Sequence, residues 1–333
     1  MASNGKSPLA KRNILVTAGE GNTGRAILEC LMEGADFKGK YASVSALVFS
    51  DDDDDLVSMG VTVLPYEKIK DSLVKEMTNA KIDTVLLIPP ARKDKMRLSK
   101  VILEAAKATK AVTNLVLLSS AGCDLAERHN QPRLREFIDL EALAMQPKSL
   151  PETGDTGHSP VIVRAGFYAE NLLLYTKQAQ GQGQLPIPID AKHKFSPVAL
   201  GDVARVCAYI LTSQGPHGIA DEVRGQLIVL TGPMMVAGAE LAEAASQALG
   251  TRMEFKSITE SQAKKIFNSD QGEEVDETEK EYLLEYYSLV REGKTAYVSD
   301  IPFVHMFGEK PQAMPEFFKA YSSEFKPKKR RTK

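Results

Sequence analysis

Cysteine is scarce. Cys30, Cys123 and Cys207 are the only three in 333 residues, far apart and without Cys-x-x-Cys spacing, which argues against a disulfide framework or a cysteine zinc site and suits a reducing compartment. Long apolar runs are missing too. No stretch approaches the ~18 residues that a spanning helix needs, and the opening MASNGKSPLAKRN has no apolar segment behind its charges, so neither a membrane span nor a secretory signal is expected. Charge of one sign is not in surplus either, with 42 Lys and Arg against 44 Asp and Glu. Six of the basic residues lie between Lys326 and Lys333, and without them the net charge of −2 falls to −8. A mildly acidic body does not draw a nucleic-acid backbone, so any such role rests on the tail, which reads either as a nuclear-localisation-type cluster or as a solubilising end. The expected location is cytoplasmic, or nuclear through that tail. Gly-x-Ser-x-Gly elbows, P-loops, His-Glu-x-x-His and paired metal ligands are absent, which leaves hydrolase, nucleotidase and zinc-enzyme readings without support; no metal site is expected.

What remains is an ordinary globular composition, 43% hydrophobic and 26% charged, in a chain long enough to bury a sizeable core. Asn13 to Ala18 (NILVTA) is a short apolar run closed by glycines, and from Thr23 onward Ile27, Leu28, Leu31 and Met32 share one helical face. Further apolar runs at 44–49, 61–64, 84–88 and 114–120 alternate with helical patterns, 101–108 among them. Such strands between helices predict a parallel sheet covered on both faces, a doubly wound α/β fold. A surface loop is expected over 146–160, a strand at 161–164, a helix from about Phe167 to Gln180, the Gly/Pro-interrupted GQGQLPIPID, and a helix over 200–212. After QLIVL at Gln226, helical patterns at 236–249, 260–267 and 277–290 predict a smaller, mostly helical lobe. The expected division is a flexible N-terminus over 1–11, the sheet domain over 12–230 with 181–198 contributing to the lobe, the lobe for substrate or partner over 231–325, and a basic tail over 326–333.

The strongest motif is Gly19-x-Gly21-x-x-Gly24 between the first strand and the first helix. Glycines there turn the chain sharply and bring backbone N–H groups close to a pyrophosphate, and the helix N-terminus adds favourable partial charge. VTAGEGNTGRAI is similar to the nucleotide-binding turn of the NmrA-like family, atypical short-chain dehydrogenases that bind NAD(P). Further matches follow in the family's order: IPPARKDK, LVLLSSAG, FIDLEALA, VIVRAGFYAENLL and FSPVALGDVARV. The resemblance implies a Rossmann-type sheet with a smaller helical C-terminal lobe. It also implies a dinucleotide site at Gly19, Gly21, Asn22, Thr23, Gly24, Phe49, Ser50, Asp51, Glu67, Pro89, Pro90, Ser119, Phe137, Tyr168 and Asn171.

The departures are informative. The family's Gly-x-x-Gly-x-x-Gly would place its first glycine at Ala18. Where NADP-preferring members carry an arginine after the second strand, this chain has Phe49-Ser50 and then Asp51 to Asp55. Aspartates repel a 2′-phosphate and suit a ribose hydroxyl. Resemblance therefore implies NADP(H), while the local residues favour NAD(H). The Tyr-Lys pair usual in short-chain dehydrogenases has only a chance match, Tyr66 to Lys70. Related reductases place a lysine four residues before a glutamate; aligned on Glu141, that place is Phe137. The remaining candidates near the nicotinamide are Ser119, Ser120, His129, Arg133, Arg135 and Tyr168, and Ser120 or Tyr168 would polarise a substrate carbonyl or imine. With Phe137 in place, water would supply a proton, and an iminium would need none. The leading expectation is an NAD(P)-dependent oxidoreductase acting on a small organic, natural-product-like substrate. The alternative is a non-catalytic, dinucleotide-sensing regulator that binds a partner protein.

Overall fold

The computed structural model describes residues 11–50, 54–66, 69–148, 159–273 and 275–327. Asp51, Glu67, most of the expected loop over 146–160, nearly all of the N-terminal segment and the tail from 328 lie outside the described residues. Among the described residues nine strands are formed: β1 (Asn13–Thr17), β2 (Ser43–Val48), β3 (Thr62–Pro65), β4 (Thr84–Leu87), β5 (Asn114–Ser120), β6 (Val161–Ala165), β7 (Gln184–Ile187), β8 (Leu227–Leu230) and β9 (Glu254–Ser257). The helices are α1 (Asn22–Glu33), α2 (Asp54–Ser58), α3 (Lys70–Asn79), α4 (Lys95–Ala108), α5 (Pro132–Met145), α6 (Thr176–Gln182), α7 (Leu200–Thr212), α8 (Gly238–Leu249), α9 (Glu260–Phe267), α10 (Glu277–Arg291), α11 (Ile301–Phe307), α12 (Met314–Ala320) and α13 (Ser322–Phe325).

A parallel seven-stranded sheet runs β3-β2-β1-β4-β5-β6-β8, the doubly wound order whose direction reverses between β1 and β4. Both faces are covered, which is why the strands read as continuous apolar runs. Ile14 and Val16 face a core shared with α1 and α7, and Leu15 faces a second core shared with α3, α4 and α5. A third core joins α6, α8, α9, α10, α12 and α13 into the C-terminal lobe.

Three expectations change. The helix expected from Phe167 begins later, as a 3-10 helix over Ala169–Tyr175 followed by α6. Tyr168 is held extended by a bridge to Val198, and the Ala169 N–H donates to the Val198 carbonyl at 2.8 Å. The Gly/Pro-interrupted segment carries a strand: β7 pairs in parallel with β9, with Pro186 opposite Lys256, a position proline tolerates in a two-stranded edge. In the last third, α11 joins the sheet rather than the lobe, because Phe303 is fully buried in the α1/α7 core. No helix among the described residues is long and apolar enough to cross a membrane.

Candidate functional site

The turn between β1 and α1 is built on a close approach. A Cβ at Gly24 would lie 2.2 Å from the Ala18 carbonyl oxygen, and one at Gly19 would lie 2.7 Å from the Ala46 Cβ. Both positions therefore require glycine, whereas Gly21 has room. Ala18 takes φ +51°, the left-handed region that glycine occupies freely and L-residues at a cost. The register Ala18-x-x-Gly21-x-x-Gly24 is thus the geometrically relevant one, and Gly19 serves to pack the turn on β2. No side chain caps the first turn of α1, so its N–H groups and partial positive charge stay open to an anion. A dinucleotide fits this cradle.

Glu20 shapes the adjoining edge. Its Oε1 accepts from the Phe49 N–H at 2.8 Å, while its Oε2 is buried without a hydrogen-bond partner. Phe49 packs at a tilt of 49° against Tyr66 with ring centroids 4.9 Å apart, Ser50 is exposed, and Arg25 is engaged by Asp55 at 3.0 Å. The edge after β2 thus carries two carboxylates, Glu20 and Asp55, beside one guanidinium, Arg25.

Beyond the carboxyl ends of β4 and β5 lies a cavity of about 130 Å³. Thr23, Pro89, Ser119, Ser120, Phe137 and Tyr168, all singled out from the sequence, line it, and the lobe closes it with Thr278, Glu279 and Tyr282 of α10. Ser120 Oγ and the Tyr282 hydroxyl share a hydrogen bond of 2.8 Å. Burial pushes the pKa of both Tyr168 and Tyr282 up, so each hydroxyl stays protonated. Tyr168 interacts with the Thr23 side chain, which ties the cavity to the glycine turn. Ser119 is differently occupied. It donates to Glu141 at 2.5 Å, and Glu141 is gripped by Arg164 through both oxygens at 2.8 and 2.7 Å. That buried pair anchors α5 to β6, and burial pushes the neighbouring Cys123 thiol up to about 12.

Phe137 lines the cavity as the sequence alignment implies, but a lysine is present beside it. Lys95, from the start of α4, sets its Nζ 4.3 Å from the Phe137 ring centroid. It donates to the Arg133 carbonyl at 3.0 Å and pairs with Glu136 at 3.0 Å. Pro90 and Asn171 are not among the residues lining the cavity, and His129 is exposed. Arg133 pairs with Glu281 at 3.0 Å, and Arg135 donates to the carbonyls of Asp124 and Ala126. Glu170 accepts from the Leu200 N–H at 2.9 Å and thereby caps α7. Sequence reasoning missed Lys95, Glu279 and Tyr282. Lys95 closes the quoted segment IPPARKDK, and Glu279, Tyr282 and Tyr286 lie at i, i+3 and i+7 of α10, an acid on an otherwise aromatic stripe. A larger open groove lined by Asp36, Arg205 and Glu222 lies at the other end of α1. Among the described residues there is no cluster of His, Cys, Asp or Glu able to hold a metal ion.

The family model described as the NmrA-like family matches residues 10–301. An NAD(P)H azoreductase of Xenophilus azovorans is 26% identical over 245 residues, 73% of this chain and 77% of that protein. Among solved structures, the NADPH-dependent quinone oxidoreductase of Escherichia coli complexed with NADPH superimposes with a TM-score of 0.71 at 18% identity, covering 92% of this chain and 99% of that one. The Citrobacter sp. triphenylmethane reductase complexed with NADP(H) gives a TM-score of 0.70 at 16% identity, covering 93% and 99%.

Proposed function

The chain belongs to the NmrA-like family, and from that premise we propose that it is an NAD(P)H-dependent reductase of a small organic carbonyl or imine. The observation that carries this reading is the hydrogen-bonded Ser120–Tyr282 pair, 2.8 Å apart, in a cavity bordered by Thr23 of the glycine turn. NAD(P) is the cofactor class, as in the azoreductase and the two solved relatives. Gly21, Asn22, Thr23 and Gly24 would hold its pyrophosphate at the α1 N-terminus, with Glu20, Phe49 and Ser50 at the adenosine end and Pro89, Ser119 and Tyr168 at the nicotinamide end. When bound, it supplies a hydride equivalent.

The protein's part is orientation and hydrogen bonding. Tyr282 and Ser120 are neutral donors facing the same space, and a substrate oxygen or nitrogen that gains an electron pair is stabilised by them. Phe137 and Tyr168 contribute apolar walls that keep bulk water away. A sensor that does no chemistry draws its support from Phe137 in the lysine's place, and Lys95 beside that ring weakens the argument by returning an ammonium group to the wall.

The test is loss of reduced-dinucleotide absorbance with NADPH and NADH over panels of quinones, azo compounds, carbonyls and imines. Ser120→Ala and Tyr282→Phe are each expected to lower kcat/KM about 10- to 100-fold while dinucleotide binding persists. A wild-type chain that binds dinucleotide but oxidises none with any acceptor sinks the reductase reading.

A further inference from the structure

Glu20 holds a carboxyl oxygen that its own fold does not use. The residue is part-buried, and its Oε2 is fully buried with no hydrogen-bond partner among the described residues. The side chain does not cap α1, whose first turn has no side-chain partner. Instead Oε1 accepts from the Phe49 N–H at 2.8 Å, which carries the carboxyl across to the end of β2. The backbone fixes it there, because the Gly19 N–H donates to the Leu47 carbonyl at 3.2 Å and Thr17 pairs with Leu47 where β1 meets β2. A buried acceptor left unmet costs stability, so the donor it lacks must come from outside the chain.

The doubly wound fold says what that donor is. A dinucleotide whose pyrophosphate sits at the α1 N-terminus lays its adenosine ribose beyond the carboxyl end of β2, where an acid accepts from the 2′-hydroxyl of NAD(H) or a guanidinium meets the 2′-phosphate of NADP(H). At that place the chain carries Phe49 and Ser50, neither of them an acid, and Glu20 reaches it from the turn instead. The guanidinium at this edge, Arg25, is paired with Asp55 at 3.0 Å. Two carboxylates against one guanidinium leave the edge negative, which opposes a phosphate dianion.

We propose that Glu20 makes this chain select NAD(H) over NADP(H), by accepting from the adenosine 2′-hydroxyl through Oε2 and by repelling a 2′-phosphate. The inference rests on the dinucleotide site assigned above and not on any acceptor or turnover. It places the selecting acid inside the glycine turn rather than at the end of the second strand.

The experiment is calorimetry on the full chain with NAD+, NADP+ and adenosine-2′-deoxy-NAD+, which lacks only the hydroxyl in question. The wild type is expected to bind NAD+ at least about tenfold more tightly than NADP+, ~1.4 kcal/mol, and to bind the deoxy compound several-fold more weakly than NAD+. Glu20→Gln keeps an oxygen for the Phe49 N–H and puts an amide NH2 in place of Oε2, which donates to a phosphate and cannot accept from a hydroxyl. In that variant the preference for NAD+ should fall at least about tenfold, and the deoxy compound should bind as well as NAD+ does. Equal affinities or a preference for NADP+ in the wild type, or a ratio that Glu20→Gln leaves unchanged, overturn the proposal. Binding of none of the three would remove the dinucleotide site and this proposal with it, whereas a chain that shows the expected ratios and reduces no acceptor would count against the reductase reading alone.

Discussion

Ala18 places a methyl group in a backbone conformation that favours none. Its φ of +51° is dictated by the close approach of Gly24 to its carbonyl, so the turn keeps its shape and the residue absorbs the strain. Ala18→Gly is expected to stabilise the protein by about 1 kcal/mol, the left-handed penalty less the entropy glycine adds to the unfolded chain. A urea denaturation midpoint that rises with unchanged slope would check this, and an unchanged midpoint would mean that the turn relaxes around alanine at no cost. The turn was readable in the sequence as glycines between a strand and a helix, but two registers fitted them, and the left-handed φ of Ala18 selects the one that begins there. Glu20 was not readable as a contributor to the site, because its role depends on a Phe49 N–H that lies far along the chain and reaches it only when β1 and β2 pair. Lys95 was hidden for a similar reason: the sequence comparison looked for an ammonium on α5, and the fold delivers one from α4.

The contact between α5 and α10 forms one wall of the cavity, and the Glu285 carboxyl is one of the groups that hold it. Glu285 of α10 accepts from the N–H groups of Arg133 and Leu134 at 3.2 and 2.9 Å, in the first turn of α5. Burial pushes its pKa up from the ordinary 4.5 to about 7, against the lowering effect of those two N–H groups and of Lys95. Between those two pH values the folded chain keeps a proton that the unfolded chain has released, so this carboxyl favours the fold below its unfolded pKa. That contribution is lost as pH rises through the folded pKa. Urea midpoints should therefore fall from about pH 5 to about pH 8, and Glu285→Gln should narrow the fall. Glu170 and Asp202 are shifted upward by burial as well, so the slope is reduced rather than abolished; an identical slope in the variant would show that Glu285 titrates normally. Helices such as α1, α7, α9 and α10 were legible because their apolar residues repeat at the helical period. β7, β9 and the 3-10 segment were not. Their residues take their conformation from partners distant in sequence, Val198 for Tyr168 and the β7–β9 pairing for Pro186.

The cavity has two walls that fold on different cores. Thr23 of α1, Pro89 after β4 and Ser120 at the end of β5 belong to the sheet domain, while Glu279 and Tyr282 stand on a helix whose inner face belongs to the lobe. The walls are joined by ring contacts, Phe137 with Tyr282 and Phe167 with Tyr286 and Tyr287, and by polar ones: Ser120 to Tyr282, Gln131 to Ser288 and Glu292 at 3.0 and 2.9 Å, and Lys294 to Glu127 at 3.3 Å. Thr278, Glu279 and Tyr282 of α10 line the cavity directly, so this helix is the element best placed to respond to what enters it. If the dinucleotide rests on the sheet and the acceptor on the lobe, their effects on backbone exchange separate. Hydrogen exchange should slow at residues 19–25 when NADPH or NADH binds, with α10 little changed. Adding a quinone or azo acceptor to the complex with oxidised dinucleotide should then slow exchange in the first half of α10. The order matters, because protection of α10 by the dinucleotide alone would put the lobe in the cofactor site and leave the acceptor without the wall that Glu279 and Tyr282 provide.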